Sequence, residues 1–389
     1  HSRADTGAVM RKASRKIKVY LTPDGEAHFV DPDLTHLALL QRLNPEFRIQ
    51  MAWPPHDFAP NLAKARTIWI GLSPEDLAQA DDDTIWKIHA EGLAGKLTGA
   101  KSGSANLLDL KIELAKRELL DCRLCGHLCG VNRFLMPGKC GLKDKAYVAE
   151  TFVHIGEEAV LTPAATVKIF GCALNCAGCQ AFELIHVKEE VVRKQVRLLD
   201  STIWNSCADF LTASTIEFVG GNPSESLYPI LKVLADIPSN LLNKPLVWND
   251  HSYTAPVVYE ILAGLIDVYL PDFKGCDPCV ERISKAPGYW GYATKGIVHM
   301  VEQSARIIVR VLVLPGHFEC CHRPSLHWLG QHRDRLSVSV IKFVPDFRAL
   351  KDPELNRPTS KAEMAEVIGL MTTLGLRNIE KEPEDFWNN

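Results

Sequence analysis

The chain has 389 residues, 46% of them apolar and 23% charged, with a net charge of -3. That balance describes a soluble globular protein large enough for one big domain or two ordinary ones; it offers no basic field for nucleic acid and no run near the ~18 apolar residues of a membrane span. Twelve cysteines is a high count, and their clustering at short spacings suits metal ligation in a reducing cytoplasm better than a disulfide frame.

In chain order, residues 1–10 are polar, lack the apolar core of a signal peptide and read as a tag remnant, with Met10 the natural start. Residues 17–30 predict two strands joined at Pro23-Asp24-Gly25. Asp31-Pro32-Asp33-Leu34 opens a helix that ends before Pro45, and the Pro-rich residues 51–61 form a connector. Thr67–Ile70 can form a strand, Ser73-Pro74-Glu75-Asp76 caps another helix, and residues 95–104 have the Gly, Ser and Lys content of a linker. Residues 11–104 thus predict a small α+β N-terminal domain without a catalytic constellation, for which docking a partner or substrate is one use. In residues 105–147, an amphipathic helix over Leu107–Leu120 precedes Cys122, Cys125, Cys129 and Cys140, spaced C-x2-C-x3-C-x10-C. Four thiolates can close a tetrahedral metal site. Softness and geometry fit iron, an iron–sulfur group or zinc alike, and a packing knot of reduced cysteines is the bland alternative.

From 148 to 375 the pattern alternates strand, loop and helix. The predicted strands are 148–154, 167–171, 215–219, 245–248, 266–270, 307–314 and 337–343; the predicted helices include 188–200, 225–236, 255–264, 294–304 and 361–374. Such alternation means parallel strands with helical crossovers. Six units from 167 onward fall short of the eight of a closed barrel, so the prediction is an α/β fold with a partial (β/α)6 barrel and ligands at the carboxyl ends of its strands. The polar tail 376–389 reads as a cover or a disordered end.

Chemistry-bearing residues fall at those strand ends. After residues 167–170 comes Cys172-Ala-Leu-Asn-Cys176-Ala-Gly-Cys179, whose thiols can hold three irons of a [4Fe–4S] cube and leave the fourth open; a zinc knuckle or unligated thiols are the alternatives. Gly220-Gly221-Asn222-Pro223 follows the next strand, where glycines let backbone approach a ligand, although alone the motif is usually a turn. Asn249-Asp250-His251 follows 245–248 and reads as a site or as a polar helix cap. Asp272 and Lys274, two apart on an extended segment, share a face and can enter one site, or form a surface ion pair. Arg310 lies along strand 307–314, which ends at Leu314-Pro315-Gly316-His317. Cys276 and Cys279 follow one strand and Cys320 and Cys321 its neighbour, so the four can meet as a further metal site, a redox pair, catalytic thiols or simply packed side chains. Cys207 reads as buried packing.

Phe170-Gly171-Cys172 through Cys179-Gln180, with Gly220–Pro223 and the segment Asp267-Val-Tyr-Leu-Pro-Asp-Phe-Lys274, resembles the radical S-adenosylmethionine (SAM) enzymes, in particular relatives of pyruvate formate-lyase activating enzyme. The resemblance covers roughly residues 118–345. It implies a partial barrel and a cluster whose open iron chelates SAM. It also implies reductive cleavage of SAM to a 5′-deoxyadenosyl radical that abstracts hydrogen from a substrate, and an external donor of flavodoxin or ferredoxin type. By resemblance, Gly220, Gly221, Asn222 and Pro223 take the SAM amino group, Asn249 the ribose, Lys274 the carboxylate and His317 the adenine, with Asp272 and Arg310 beside them. Asn222 stands where the family has Glu in its Gly-Gly-Glu-Pro motif, which removes a charge-assisted contact. The family label implies a glycyl-radical enzyme as protein substrate. The N-terminal domain and surplus cysteines depart from the short activating enzymes, so a small molecule or another peptide is the alternative substrate. A non-catalytic iron–sulfur or zinc scaffold is the rival from outside the class.

Overall fold

The structure is a computed structural model that describes residues 18–21, 27–30, 54–55, 58–97, 104–156, 158–185, 197–206, 209–379 and 386–387. The expected tag remnant, the helix from Asp31, Cys207, most of the helix expected at 188–200 and parts of the linker and tail lie outside these residues. The strands are β1 (Lys18–Leu21), β2 (Ala27–Val30), β3 (Tyr147–His154), β4 (Ala164–Ile169), β5 (Arg197–Leu198), β6 (Thr215–Gly220), β7 (Leu246–Asp250), β8 (Val268–Pro271), β9 (Arg306–Val313) and β10 (Ser337–Lys342). The helices are α1 (Asn61–Ala65), α2 (Pro74–Gln79), α3 (Asp82–Leu93), α4 (Leu107–Glu118), α5 (Ile203–Ser206), α6 (Asp209–Thr212), α7 (Leu227–Ala235), α8 (Pro256–Leu262), α9 (Asp277–Ser284), α10 (Tyr289–Val301), α11 (Arg323–Gly330) and α12 (Lys361–Thr373).

β1 and β2 pair antiparallel as a separate hairpin, with Lys18 opposite Val30. The other strands form one eight-stranded sheet in the order β10-β9-β8-β7-β6-β4-β3-β5. From β4 to β10 every neighbouring pair is parallel, while β3 runs antiparallel to β4 and to β5. The six parallel strands are short apolar runs such as Leu246-Val247-Trp248 and Val268-Tyr269-Leu270, buried as strands covered on both faces must be. This is an α/β partial barrel carrying a Cys-rich segment ahead of it. The main core cluster joins Leu62 and Ile85 to Leu114, Trp248, Ile297 and Val367, and a second gathers Val247, Val268, Leu270 and Ile308.

α4 begins at a reciprocal cap: Asn106 Oδ1 accepts from the amides of Leu108 and Asp109 at 2.9 and 3.1 Å, and Asp109 Oδ2 accepts from Asn106 N at 2.8 Å. Its buried stripe, Leu107, Leu110 and Leu114 among others, faces α7 and α8. Three expectations are corrected. Thr67–Ile70 gives a single bridge, Trp69 to Asn106, rather than a strand. The end of the helix expected over 188–200 is instead β5, because Arg197 and Leu198 pair with Val148 and Tyr147. The helix expected at 294 begins at Tyr289, which packs fully buried under the sheet's carboxyl edge.

Candidate metal and cofactor centre

A cleft of about 160 Å³ opens where β4, β6, β7 and β8 end. Its walls bring together Cys172, Cys176 and Cys179 from the loop after β4, Gly220 to Asn222 after β6, Asn249 on β7, and Asp272 and Lys274 after β8. Gly221 is fixed by this closeness: a Cβ there would collide with the backbone of Gly171 in the cysteine loop, so only glycine lets the two loops touch. The cysteine loop is also tied to the C-terminal turn of α9, where Asn175 N and Ala177 N donate to the carbonyls of Ser284 and Ile283 at 3.0 and 2.8 Å.

Under the loop sits a buried carboxylate that sequence reasoning missed. Glu225 Oε1 accepts from Ala173 N at 2.9 Å and lies 3.0 Å from His251 Nε2, and Glu225 Oε2 accepts from Asn222 Nδ2 at 2.6 Å. Asn222 Oδ1 in turn accepts from His251 N at 3.0 Å. Thus the side chain of Asn222 joins two strand-end loops to the cysteine loop. Burial pushes the Glu225 carboxyl up, but His251, Asn222 and the Ala173 amide outweigh it and hold it below the usual carboxylate range. Burial, and next the Glu225 charge, push the Cys172 thiol up. Asn249 is anchored from behind, donating through Nδ2 to the buried Glu217 at 2.8 Å. Lys274 Nζ donates to Asp272 Oδ2 at 2.6 Å. Burial alone would lower the lysine, yet Asp272 and the neighbouring Cys176 hold its ammonium above its ordinary range.

The segment carrying Cys122, Cys125, Cys129 and Cys140 docks directly behind this loop. Gly126 N donates to Tyr253 O and Ala255 N to Leu124 O, both at 3.0 Å, and a His127 ring nitrogen lies 2.8 Å from Ala173 O. The fully buried Arg133 lies 3.8 Å from Cys122 Sγ and donates to Lys143 O and, at 3.1 Å, to Glu225 O. Lys139 N donates to Cys129 Sγ at 3.3 Å. Burial pushes the Cys140 thiol up to about 11 against the pull of Arg133.

Among the described residues, the groups of three or more possible ligand atoms within 4.8 Å of one another are Cys276, Cys279, Cys320, Cys321 and Cys172, Glu225, His251. Neither the Cys172–Cys176–Cys179 trio nor the Cys122–Cys140 quartet is drawn that tight. Pro223, Arg310 and His317 stand outside the walls of the cleft. Arg310 forms a two-pronged ion pair with Glu158 at 2.8 and 2.7 Å. His317 lies with Nδ1 3.4 Å from Cys320 Sγ and Nε2 3.2 Å from Glu354.

Fold and site define an α/β partial-barrel protein with three groups of thiols at and around the carboxyl ends of its strands. The chain belongs to the same family as "Uncharacterized protein MJ0674" of Methanocaldococcus jannaschii, to which it is 33% identical over 320 residues, 77% of this chain and 90% of that protein. No protein-family model matches the chain. Among solved structures, one of TYW1 with a lysine–pyruvate adduct bound superposes with a TM-score of 0.32 at 13% identity, over 54% of this chain and 73% of that one, a likeness too slight to carry an argument.

Proposed function

We propose that the chain is a radical SAM enzyme, with a [4Fe–4S] cluster on Cys172, Cys176 and Cys179 and SAM in the adjoining cleft. The observation that carries this is the convergence of three thiols, a glycine edge, Asn249 and the Asp272–Lys274 pair, from four separate strand ends, on one cleft. The donor set fits the cluster: thiols that ligate different irons of a cube stand further apart than thiols converging on one ion, and this trio is not gathered within 4.8 Å. Gly220 and Gly221 line the cleft without side chains, which suits backbone contact with an ammonium group. Lys274, held charged by Asp272, suits a carboxylate, and Asn249, fixed by Glu217, suits a hydroxyl. When bound, cluster and cofactor supply a 5′-deoxyadenosyl radical by reductive cleavage. The part left to the protein is to hold the substrate against the cleft and to keep water from the radical, a glycyl-radical protein being one such substrate.

The test is anaerobic reconstitution and a 5′-deoxyadenosine assay with SAM and a low-potential reductant. Wild type is expected to form 5′-deoxyadenosine, and Cys172→Ala/Cys176→Ala/Cys179→Ala to lose both the product and about four irons per chain. A fully loaded wild type that leaves SAM intact overturns the reading. A second reading rests on the closeness of Cys172, Glu225 and His251, which could hold a single ion. It predicts a loss of about one metal ion per chain in the triple variant, and equal loss in His251→Ala.

A further inference from the structure

We propose that Cys276, Cys279, Cys320 and Cys321 bind one zinc-class divalent ion in a closed tetrahedral tetrathiolate site, separate from the cleft and independent of the radical SAM reading. The four sulfurs all lie within 4.8 Å of one another. Cys276 and Cys321 are 3.4 Å apart, Cys279 and Cys320 3.8 Å, and Cys320 and Cys321 3.7 Å. Four thiolates around one ion at zinc–sulfur bonds of ~2.3 Å have edges of about 3.8 Å. These edges match that tetrahedron, and they link the sulfurs in one chain, Cys276 to Cys321 to Cys320 to Cys279, rather than in two isolated pairs.

The backbone is built around this meeting. Cys276 is the N-cap of α9 and Cys279 sits in its first turn, so the two thiols leave the helix start on the same side. The partner loop supplies adjacent cysteines from a single π-helical turn, Phe318–His322. Such a turn carries one extra residue within its loop of hydrogen bonding and is enriched at functional sites; here it lets neighbouring side chains converge. Gly275 clears the space: a Cβ on it would lie 2.8 Å from both Cβ and Sγ of Cys321, and its φ of +129° is one that side chains rarely adopt. His317 approaches from outside, one ring nitrogen 3.4 Å from Cys320 Sγ and the other held by Glu354, as a group that orients a ligand would.

Filling the site means that the four thiols give up their protons to solvent as the ion binds. The result would be a clasp between the loop after β8 and the loop after β9. Lys274 and Asp272 in the cleft wall precede Cys276 by two and four residues, so the clasp would also fix one wall of the cleft.

The experiment uses the full chain, loaded with zinc alone under reducing, anaerobic conditions. Elemental analysis is expected to show about one zinc per chain fewer in Cys279→Ser/Cys320→Ser than in wild type. That equivalent should persist in Cys122→Ser/Cys125→Ser and in the Cys172→Ala/Cys176→Ala/Cys179→Ala chain, which separates this site from both other thiol groups. Because the double variant can fail by misfolding, the wild type is also alkylated with and without zinc and mapped by peptide mass. The four thiols should be protected together by zinc and exposed together by a chelator, and cobalt in place of zinc should give the absorption of a tetrahedral thiolate complex. Unchanged zinc in the double variant, alkylation that ignores zinc, or a Cys276–Cys321 or Cys279–Cys320 disulfide in the reduced, zinc-loaded protein would each overturn the proposal.

Discussion

Glu225 decides how the cysteine loop is held, and nothing near it in sequence announces this. Its partners Ala173 and His251 lie 52 and 26 residues away, so only the folded sheet reveals the network. The cysteines themselves are legible because ligands to one cluster must come at short spacing, and Gly220-Gly221 because it follows a recognisable strand. Glu225→Gln keeps the volume but removes one acceptor oxygen, so either the Ala173 amide or Asn222 is left without its partner. The expected cost is about 1–3 kcal/mol, read as a lower urea midpoint with an unchanged slope. A second buried carboxyl gives a pH signature. Burial raises Asp267 to about 7, although it accepts from Asn61 N at 2.9 Å and Leu246 N at 2.8 Å. The folded chain therefore keeps a proton that the unfolded chain releases near 3.8, so the contribution is full below that value and is lost as pH rises through about 7. Wild-type stability relative to Asp267→Asn should fall as pH is raised from 5 to 8; a flat difference would remove the assignment.

Elements were readable where their pattern is local. The leucine stripe announces α4, and turn residues announce the β1–β2 hairpin. β5 was not, because a two-residue strand exists only through its pairing with β3, and the π-helical turn Phe318–His322 has no periodicity to detect. α4 also buries a residue that an amphipathic reading would place outside. Lys111 Nζ lies 2.7 Å from His89 Nε2 and donates at 2.7 Å to the carbonyls of Ile261 and Ala263. Two of these partners are carbonyls at the C-terminal end of α8 and the third is a ring nitrogen on α3, while burial pushes the lysine well below its ordinary range. Lys111→Met would strand all three acceptors, and a loss of about 2–3 kcal/mol is expected in chemical denaturation. Burial, and next Lys111, hold His89 down to about 3. A base depressed on folding gives stability that is full above 6.5 and drains as pH falls toward the folded value, the opposite of Asp267. His89→Gln should flatten that acid loss while leaving the Asp267 slope in place.

At the scale of the whole molecule, the six parallel strands could be drawn from the sequence, because strand and helix patterns alternate along the barrel segment. How the Cys-rich segment sits could not, since that depends on long-range contacts such as Gly126 N to Tyr253 O, His127 to Ala173 O and those of Arg133. Arg133 is 1% exposed and reaches Cys122 Sγ, Lys143 O and Glu225 O together. It therefore joins the thiol segment ahead of the barrel to the residue that holds the cysteine loop within it. Burial alone would lower its guanidinium, and the Cys140 and Cys122 thiols beside it raise it instead, so it stays a cation facing two sulfurs. Arg133→Met would fill the same space without the charge or the donors. It should cost about 3–5 kcal/mol if the neighbouring thiols are ionised by a metal, since an uncompensated buried charge would remain, and nearer 1–2 kcal/mol if they are protonated. Measuring that cost by urea unfolding, before and after anaerobic iron and sulfide loading, separates the cases. A cost that grows on loading means that the Cys122–Cys140 segment carries a negatively charged metal group. An equal cost in both states means that Arg133 serves the backbone carbonyls alone and that these thiols are packing.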